Sequence, residues 1–236
     1  MDIVIVDCRA DNRTVYSLEN AGFAVIPTIK MDCLYDAIAT HADIQIHYLG
    51  NNRFICVPEA FEHYKKQLPC SVELICGSKT LSGKYPHDIA YNAAALKDYV
   101  ICNSMYTATE ILSEYKSMSK EVLSVRQGYS KCNICVVNGR AIITSDTGIA
   151  KIVGEHGIDV LEIESGHIKL RNLNYGFIGG ATGLVKENVL AVNGDINTHP
   201  DAERIKEFCK KHNVQLFPLK DGILEDIGTI ISDYDI

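Results

Sequence analysis

The stretch from Gly128 to Asp146 reads GYSKCNICVVNGRAIITSD and predicts a β-hairpin. Two apolar runs flank Asn138-Gly139, and Asn-Gly is the strongest short hairpin signal because both turn residues take positive φ. The polar residues before the first strand and the Thr144-Ser145-Asp146 cluster after the second then lie at the same open end. A helical stretch and a further short strand follow, so this hairpin begins a strand–turn–strand–helix–strand unit.

The same order of elements recurs along the chain with a period of roughly 40 to 50 residues, which is typical of a repeat architecture. We therefore expect one α/β domain built from five similar units. The domain is residues 1–236, and the approximate units are 1–41 together with 221–236, 42–87, 88–128, 129–175 and 176–220.

The two ends of the chain predict how the units are joined. The first unit starts with a strand over 2–7 and lacks the opening strand of a hairpin, whereas the stretch 223–231 is a spare strand. We expect the spare strand to pair beside the first one and to close the units into a propeller-like ring, which removes an exposed sheet edge. The alternative is an ordinary α/β sandwich whose elements repeat by chance.

The composition excludes several classes of function. The chain has 236 residues and a net charge of -7, which argues against a nucleic-acid binder held by phosphate contacts. No apolar run approaches the ~20 residues of a membrane span, so we predict no membrane partner. The N-terminus reads as a strand and not as a signal peptide, so we expect a cytoplasmic protein. The nine cysteines then predict free thiols.

The open ends of the hairpins would gather polar side chains at one mouth of the ring. Aligned on their turns, Asp43 and Lys131 fall at one level, and Gln45, Asn92 and Asn133 fall two residues further in. A one-residue slip exchanges such residues for their neighbours, and the sequence leaves that register open. The slipped set is Ile44, Tyr91, Cys132 and Gly180.

Residues that follow the strands add further carboxylates, and Gly176–Gly183 indicates close backbone approach near the ring axis. Carboxylates favour a small cationic or polar ligand, such as a guanidinium or an amine. For Asp146 and Asp195, capping of helices and turns is the alternative interpretation. The substrate-binding candidates are Gln45, Asn92, Lys131, Asn133, Gly180, Thr182, Asp7, Arg9, Asp146, Asp195 and Asp226.

Cys132 is the candidate nucleophile. It follows Lys131, and a neighbouring cation lowers the pKa of a thiol. His47 would act as acid or base and Asp43 would orient it, which assembles a Cys/His/Asp arrangement from different units. A buried structural thiol is the alternative. Cys132 and Cys135 form a single C-x-x-C, which is too few ligands for structural zinc, so we predict no metal and no cofactor.

The order of the units and the ring closure resemble the pentein fold of guanidine-group-modifying enzymes. That fold includes arginine and agmatine deiminases, dimethylarginine dimethylaminohydrolases, amidinotransferases and a non-catalytic ribosome anti-association factor. The resemblance covers the whole chain and is to a bacterial branch of the fold. It implies a fivefold pseudo-symmetric α/β propeller of ββαβ units.

The chain departs from the motifs of these enzymes at two places. The deiminases carry the nucleophilic Cys near the start of the last unit, where this chain reads Gly179-Gly180-Ala181-Thr182-Gly183-Leu184. Their catalytic His lies at the start of the fourth unit, where this chain reads Tyr129-Ser130-Lys131-Cys132-Asn133. Asp43 or Asp88 would match the carboxylate of an earlier unit.

Two hypotheses follow. The first is a hydrolase or transferase of a small guanidino or amidino compound, with Cys132 as nucleophile, His47 as acid/base and Asp43 in support. The second is a non-catalytic ring that binds a small polar ligand or a macromolecular partner. A homo-oligomer is compatible with both hypotheses.

Overall fold

The computed structural model describes residues 2–236 and contains five three-stranded sheets. In every sheet the middle strand pairs antiparallel with one neighbour and parallel with the other. This repeated pattern confirms the expected α/β propeller of five ββαβ-like units.

The first two units contain five strands and three helices in chain order. In the first unit these are β1 (Ile3–Val6), α1 (Asn12–Asn20) and β2 (Ala24–Pro27). In the second unit they are α2 (Ala42–Gln45), β3 (Ile46–Gly50), β4 (Arg53–Cys56), α3 (Phe61–Gln67) and β5 (Glu73–Cys76), with a 3-10 turn at Pro58–Ala60 before α3.

The remaining units repeat the order. The third has β6 (Ala94–Ala95), β7 (Tyr99–Cys102), α4 (Thr109–Ser117) and β8 (Glu121–Ser124). The fourth has α5 (Ser130–Asn133), β9 (Cys135–Asn138), β10 (Ala141–Thr144), α6 (Thr147–Glu155) and β11 (Asp159–Glu162). The fifth has β12 (Thr182–Lys186), β13 (Val189–Val192), a 3-10 turn at Ile196–Thr198, α7 (Ala202–Lys211) and β14 (Gln215–Pro218), and β15 (Ile231–Ser232) follows.

The last strand closes the ring as expected. β15 pairs antiparallel with β1, the position that the first strand of the hairpin holds in the other sheets. It is shorter than the predicted strand, because the backbone amides of residues 225–229 donate hydrogen bonds to neighbouring loops or within the segment itself and not to a sheet. The amides of Ile227 and Thr229, for example, both donate to the Gly180 carbonyl. This irregular segment supplies part of the site described below.

The hydrophobic core is distributed around the ring between neighbouring sheets. Successive residues of one strand point to opposite faces, so a strand such as β10 contributes to two clusters, whereas residues 54–56 of β4 all lie in one. Val137 packs with Phe208 between the fourth and fifth units, whereas Val136 packs with Ile101 between the third and fourth. A further cluster joins the fifth unit to the first. Within residues 2–236, none of the helices is long and apolar enough to cross a membrane.

The hairpin at Asn138-Gly139 forms, but its turn differs from the prediction. Neither residue takes positive φ, and the connection is Gly139-Arg140 between β9 and β10. The Asn138 side-chain oxygen accepts from the Arg140 amide at 2.8 Å. The register shifts between Ala141 and Ile142, and this irregularity absorbs the strand twist that two positive φ angles would otherwise supply.

Two stretches that the alignment of hairpins treats as strand are helical turns. The alignment places Asp43 and Gln45 two residues apart along one strand, but α2 occupies Ala42–Gln45 and only the following residues pair. In the same way α5 precedes β9, so Cys132 and Asn133 are not in a strand. The alternation of polar and apolar residues misled the prediction because residues 42–47 are all buried, the polar ones included. The polar side chains of this stretch bind partners inside the protein and do not mark a face that is exposed to solvent.

Candidate active site

A cavity of about 280 Å³ opens at the end of the ring that carries α2 and α5. Its walls come from the loop after β2, from α5, from the long loop before β12 and from the segment before β15. The lining residues are Tyr35, Ile38, His41, Tyr129, Cys132, Leu170, Leu173, Asn174, Tyr175, Phe177 and Asp226. Three of them carry groups suited to chemistry on a cation, namely His41, Cys132 and Asp226.

The thiol of Cys132 is paired with a buried carboxylate. Its Sγ donates to Oδ2 of Asp43 at 2.7 Å, and both residues are almost wholly buried. Oδ1 of Asp43 has no hydrogen-bond partner among the described residues. Because Cys132 lines the cavity and Asp43 does not, the carboxylate supports the thiol from behind.

Short local contacts hold this pair in place. The Asn92 side chain donates to the Asp43 carbonyl at 3.2 Å and lies 3.7 Å from the Cys132 sulfur, while its oxygen accepts from the Lys131 amide at 2.7 Å. The Thr229 hydroxyl donates to the Gly179 carbonyl at 2.8 Å and lies 3.1 Å from Oδ2 of Asp43. Side chains from four units therefore meet at the thiol.

The histidine in the cavity is His41, which precedes α2. Its ring lies between two buried carboxylates, with Nε2 at 4.0 Å from Asp7 and Nδ1 at 4.0 Å from Asp226. Nδ1 has no hydrogen-bond partner among the described residues. One ring nitrogen, the Cys132 sulfur and an Asp43 oxygen lie within 4.8 Å of one another. His41 is thus within reach of the thiol and of a molecule placed against it.

Two glycines make room for these groups. A Cβ on Gly180 would lie 2.0 Å from Oδ1 of Asp226, and a Cβ on Gly228 would lie 2.2 Å from the Cβ of His41. Gly228 also takes a φ of +68°, which favours glycine. Its amide donates to Oδ1 of Asp226, and the Phe177 amide donates to Oδ2. The carboxylate of Asp226 is therefore fixed from two sides.

The electrostatics keep the thiol protonated in the absence of a ligand. Burial, and then the nearby carboxylates of Asp43 and Asp226, raise the pKa of Cys132 well above its ordinary value. Burial also raises the pKa values of Asp43 and Asp226 and lowers the pKa of His41. The expectation that Lys131 lowers the pKa of the thiol is wrong, because carboxylates and not the ammonium dominate around the sulfur.

A smaller cavity of about 80 Å³ lies on the other side of the pair and is lined by Asp43, Lys131 and His47. Nε2 of His47 lies 2.6 Å from the hydroxyl of Tyr115, which itself donates to the Tyr48 carbonyl at 3.1 Å. The ring nitrogen therefore donates to Tyr115. Burial, with Lys131 adding to it, lowers the pKa of His47 to about 3. The structure places His47 at the smaller cavity, whereas the histidine of the larger cavity is His41.

The donor atoms of His41, Asp43 and Cys132 are the one cluster within residues 2–236 with three potential metal ligands. Structural zinc takes four protein ligands, and this cluster offers three. The sulfur and the carboxylate of the cluster are joined by a direct hydrogen bond. Cys135 packs in the core between the fourth and fifth units.

The structure brings some of the predicted binding residues to the site. Asp226 lines the cavity, Asn92 contacts the pair, and Gly180 packs on Asp226 while its amide donates to the Cys132 carbonyl. Asp7 lies behind His41, and Arg9 contacts Asp7 and donates to the Asp36 carbonyl.

Other predicted residues have structural roles away from the cavity. Gln45 bonds to the Ile29 backbone and Asn133 to the Tyr129 carbonyl. Thr182 bonds to the Ile178 carbonyl. Asp146 caps α6 and Asp195 caps the following 3-10 turn, which is the alternative that the sequence had left open.

His41, the histidine of the cavity, was not identified from the sequence. It stands at the boundary between the first two predicted units, two residues before Asp43, and no strand or helix signal singled it out. Its position could have indicated it. The turns α2 and α5 are equivalent in their units, so the residues just before α2 lie at the same mouth of the ring as Cys132.

A family model described as "Family of unknown function (DUF6873)" matches residues 5–231. No curated protein matches the chain in a sequence search.

Several solved structures share the fold. SxtG, an amidinotransferase from Microseira wollei in the saxitoxin biosynthetic pathway, matches with a TM-score of 0.56 and 11% identity over 92% of this chain and 88% of its own. The agmatine deiminase of C. jejuni matches with a TM-score of 0.54 and 11% identity over 93% and 87%.

A mutant of DDAH from Pseudomonas aeruginosa, complexed with citrulline, matches with a TM-score of 0.56 and 8% identity over 92% of this chain and 91% of its own. At these identities the likeness establishes the fold, and the resemblance to the pentein fold is confirmed. The chemistry has to be argued from the site itself.

Proposed function

The chain belongs to the DUF6873 family, and we propose that it is a cysteine-dependent hydrolase or transferase that acts on a small guanidino or amidino compound. The single observation that carries the proposal is the Cys132 thiol, bonded to Asp43 and exposed only to a cavity that also contains His41 and Asp226. The structural neighbours include an amidinotransferase and an agmatine deiminase, which supports this kind of chemistry.

The substrate cation would bind against Asp226. A guanidinium or amidinium donates paired N–H bonds to carboxylate oxygens, and such charge-assisted bonds are among the stronger ones. Backbone amides of Phe177 and Gly228 already orient the Asp226 oxygens. No Lys or Arg side chain lines the cavity in the described part of the chain, so nothing there repels the cation.

The arriving cation would also activate the thiol. A positive charge beside Sγ favours the thiolate, and Oδ2 of Asp43 lies 2.7 Å away to take its proton. The Sγ lone pair forms a bond to the central carbon of the substrate, and a C=N π pair moves to nitrogen. The substrate itself would thus bring a positive charge into a cavity whose described lining contains no Lys or Arg.

His41 would serve the two proton transfers that follow. It passes the proton that Asp43 took from the thiol to the amine, which leaves with its bonding electron pair. Water, or an acceptor amine, then attacks the S-linked carbon, and His41, neutral again, accepts a proton from it. The C–S bond breaks with its electron pair going to sulfur, and His41 returns the proton to the Cys132 thiolate. A base must be neutral to do this, and burial lowers the pKa of His41 in that direction. Water as acceptor gives a hydrolase, and an amine gives a transferase.

Turnover of a panel of guanidines and amidines tests the proposal. Ammonia release reports hydrolysis, and mass spectrometry of an added amine reports transfer. We expect product from the wild type, none from Cys132→Ser, and unchanged rates from Cys76→Ser, whose thiol is exposed elsewhere.

The second candidate function is a non-catalytic ring that binds a small ligand. It is favoured by one observation, the raised pKa of Cys132 in a site whose fixed charges are carboxylates. This second function would be supported if guanidines bind to the protein but no product forms and Cys132 stays unmodified.

A further inference from the structure

Beyond the reacting group, the walls of the cavity are mostly apolar, with Asn174 as a polar exception. Ile38, Leu170 and Phe177 line it, together with the rings of Tyr35 and Tyr129. The Tyr129 hydroxyl is occupied, because it donates to Asp88 at 2.5 Å and meets the Tyr35 hydroxyl at 2.9 Å. The two tyrosines therefore present mainly ring surface to the cavity.

The apolar surface continues to the mouth. Tyr35 is 38% exposed, Leu173 is 50% exposed and Tyr175 is 44% exposed, although all three line the cavity. Tyr85, which is 49% exposed, packs against Tyr129 with ring centroids 5.7 Å apart and the rings tilted by 41°. Exposed large apolar side chains that border one cavity are typical of a binding surface.

The cavity also offers no cationic partner for a carboxylate, although Asn174 contributes an uncharged amide to the lining. Among residues 2–236 its lining contains no Lys or Arg. Arg9 is engaged by Asp7 and by the Asp36 carbonyl, and Lys169 pairs with Glu225. Arg171 adjoins the lining in sequence and is exposed, but it does not line the cavity. A free amino acid would have to desolvate its carboxylate against apolar walls, which costs several kcal/mol.

We propose that the substrate is a guanidine or amidine with an apolar or aromatic tail and without a carboxylate or a second charge. The inference rests on the proposed function, since it names the substrate class of that same site. The charged head lies against Asp226 at the floor, and the tail lies between Leu170 and the tyrosine rings.

Binding to the Cys132→Ser variant tests this inference without depending on turnover. The matched ligands are n-pentylguanidine, agmatine and arginine, which share one head group and nearly one length. Benzylguanidine supplies the aromatic case. We expect n-pentylguanidine to bind about tenfold more tightly than agmatine or arginine by calorimetry, because the walls desolvate its tail at no polar cost.

A charge at the mouth should change the preference. Leu173→Arg places a guanidinium beside the tail, so we expect the ratio of arginine to n-pentylguanidine affinity to rise by about tenfold. Met105→Arg, at an exposed apolar residue elsewhere, is the control and should leave the ratio unchanged. Arg171→Ser should also leave it unchanged.

The outcomes separate the two claims. If arginine or agmatine binds most tightly, the apolar-tail inference is overturned while the guanidine site stands. If arginine affinity falls in Arg171→Ser, the inference is overturned as well, because that side chain then reads the carboxylate. If none of the guanidines binds, the proposed function falls and the inference falls with it.

Discussion

The Cys132 thiol donates to Oδ2 of Asp43 at 2.7 Å, from helical turns that open two different units of the ring. The pair is buried on the Asp43 side and reaches the cavity on the Cys132 side. The larger cavity has no Lys or Arg in its lining among residues 2–236, because Lys131 lines the smaller cavity on the Asp43 side. We therefore expect a cation that enters the larger cavity to activate the thiol.

Asp43→Asn should separate catalysis from stability. The amide keeps the shape of the carboxylate but cannot take the proton, so we expect kcat/KM to fall by about 10²–10⁴. Because burial raises the pKa of Asp43 and leaves Oδ1 unpartnered, removing this charge should also raise the free energy of unfolding by about 1 kcal/mol or more at neutral pH. Enzyme kinetics tests the loss of activity, and urea denaturation tests the gain in stability. Loss of activity together with loss of stability would instead indicate a structural role.

His41 and His47 should behave oppositely in catalysis. His41→Asn removes the ring from the cavity, so we expect kcat to fall by about 10²–10⁴. His47→Gln keeps a donor for the Tyr115 hydroxyl on the far side of the pair and should change kcat by less than about threefold. Steady-state kinetics of the two variants, each checked for folding by circular dichroism, gives the comparison. Equal losses would contradict the assignment of the acid/base to His41.

Stability should fall in mild acid because of His47. The pKa of His47 is lowered to about 3 in the folded state. As the pH drops below the ordinary pKa of histidine, the ring is therefore protonated in the unfolded chain before it is protonated in the folded one. The stability that His47 contributes is present above about pH 6.5 and is lost progressively toward about pH 3, and about 2 kcal/mol should be lost between about pH 7 and about pH 5.

Urea denaturation of His47→Gln at both pH values checks this, and its loss should be smaller than that of the wild type. His167→Gln alters an exposed side chain and serves as the control. Identical pH slopes for the wild type and His47→Gln would contradict the burial of a neutral ring.

Gly180→Ala should damage ligand binding without touching a reacting group. A Cβ there would lie 2.0 Å from Oδ1 of Asp226, so the carboxylate has to move from its backbone donors. We expect guanidine affinity to fall by about tenfold or more. Gly154→Ala is the matched control, because a Cβ there meets nothing within 4 Å and α6 should gain up to about 1 kcal/mol. Unchanged affinity in Gly180→Ala would show that Asp226 does not hold the ligand.

The sequence predicted the ring because its evidence is periodic. Five repeats of one order of elements, and a strand missing at one end and present at the other, are visible without coordinates. The site was predicted only in part. Asp43 and Asn92 belong to one of the two registers considered, whereas Cys132 and Gly180 belong to the other.

The site combines residues from both registers because the residues before the first strand of each hairpin form turns and not strands. In α2 and α5, and at residues 89–92 and 178–182, turn hydrogen bonds replace the period of two on which the comparison of strands relied. His41 was missed for the same reason. Its neighbours Asp7 and Asp226 come from opposite ends of the chain, and no local pattern reports such a contact.

The central claim is that a cation held by Asp226 activates Cys132. It is tested most directly by comparing the alkylation of individual thiols by chloroacetamidine, which is cationic, and by iodoacetamide, which is neutral. Peptide mass spectrometry at neutral pH gives the rate for each cysteine, with the exposed Cys8 and Cys76 as internal references.

We predict that chloroacetamidine labels Cys132 about tenfold or more faster than it labels the exposed thiols, and that iodoacetamide labels Cys132 more slowly than it labels them, because burial raises the pKa of this thiol. Excess benzylguanidine should protect Cys132 alone. Labelling of Cys132 by chloroacetamidine at no more than the rate of the exposed cysteines would contradict the account.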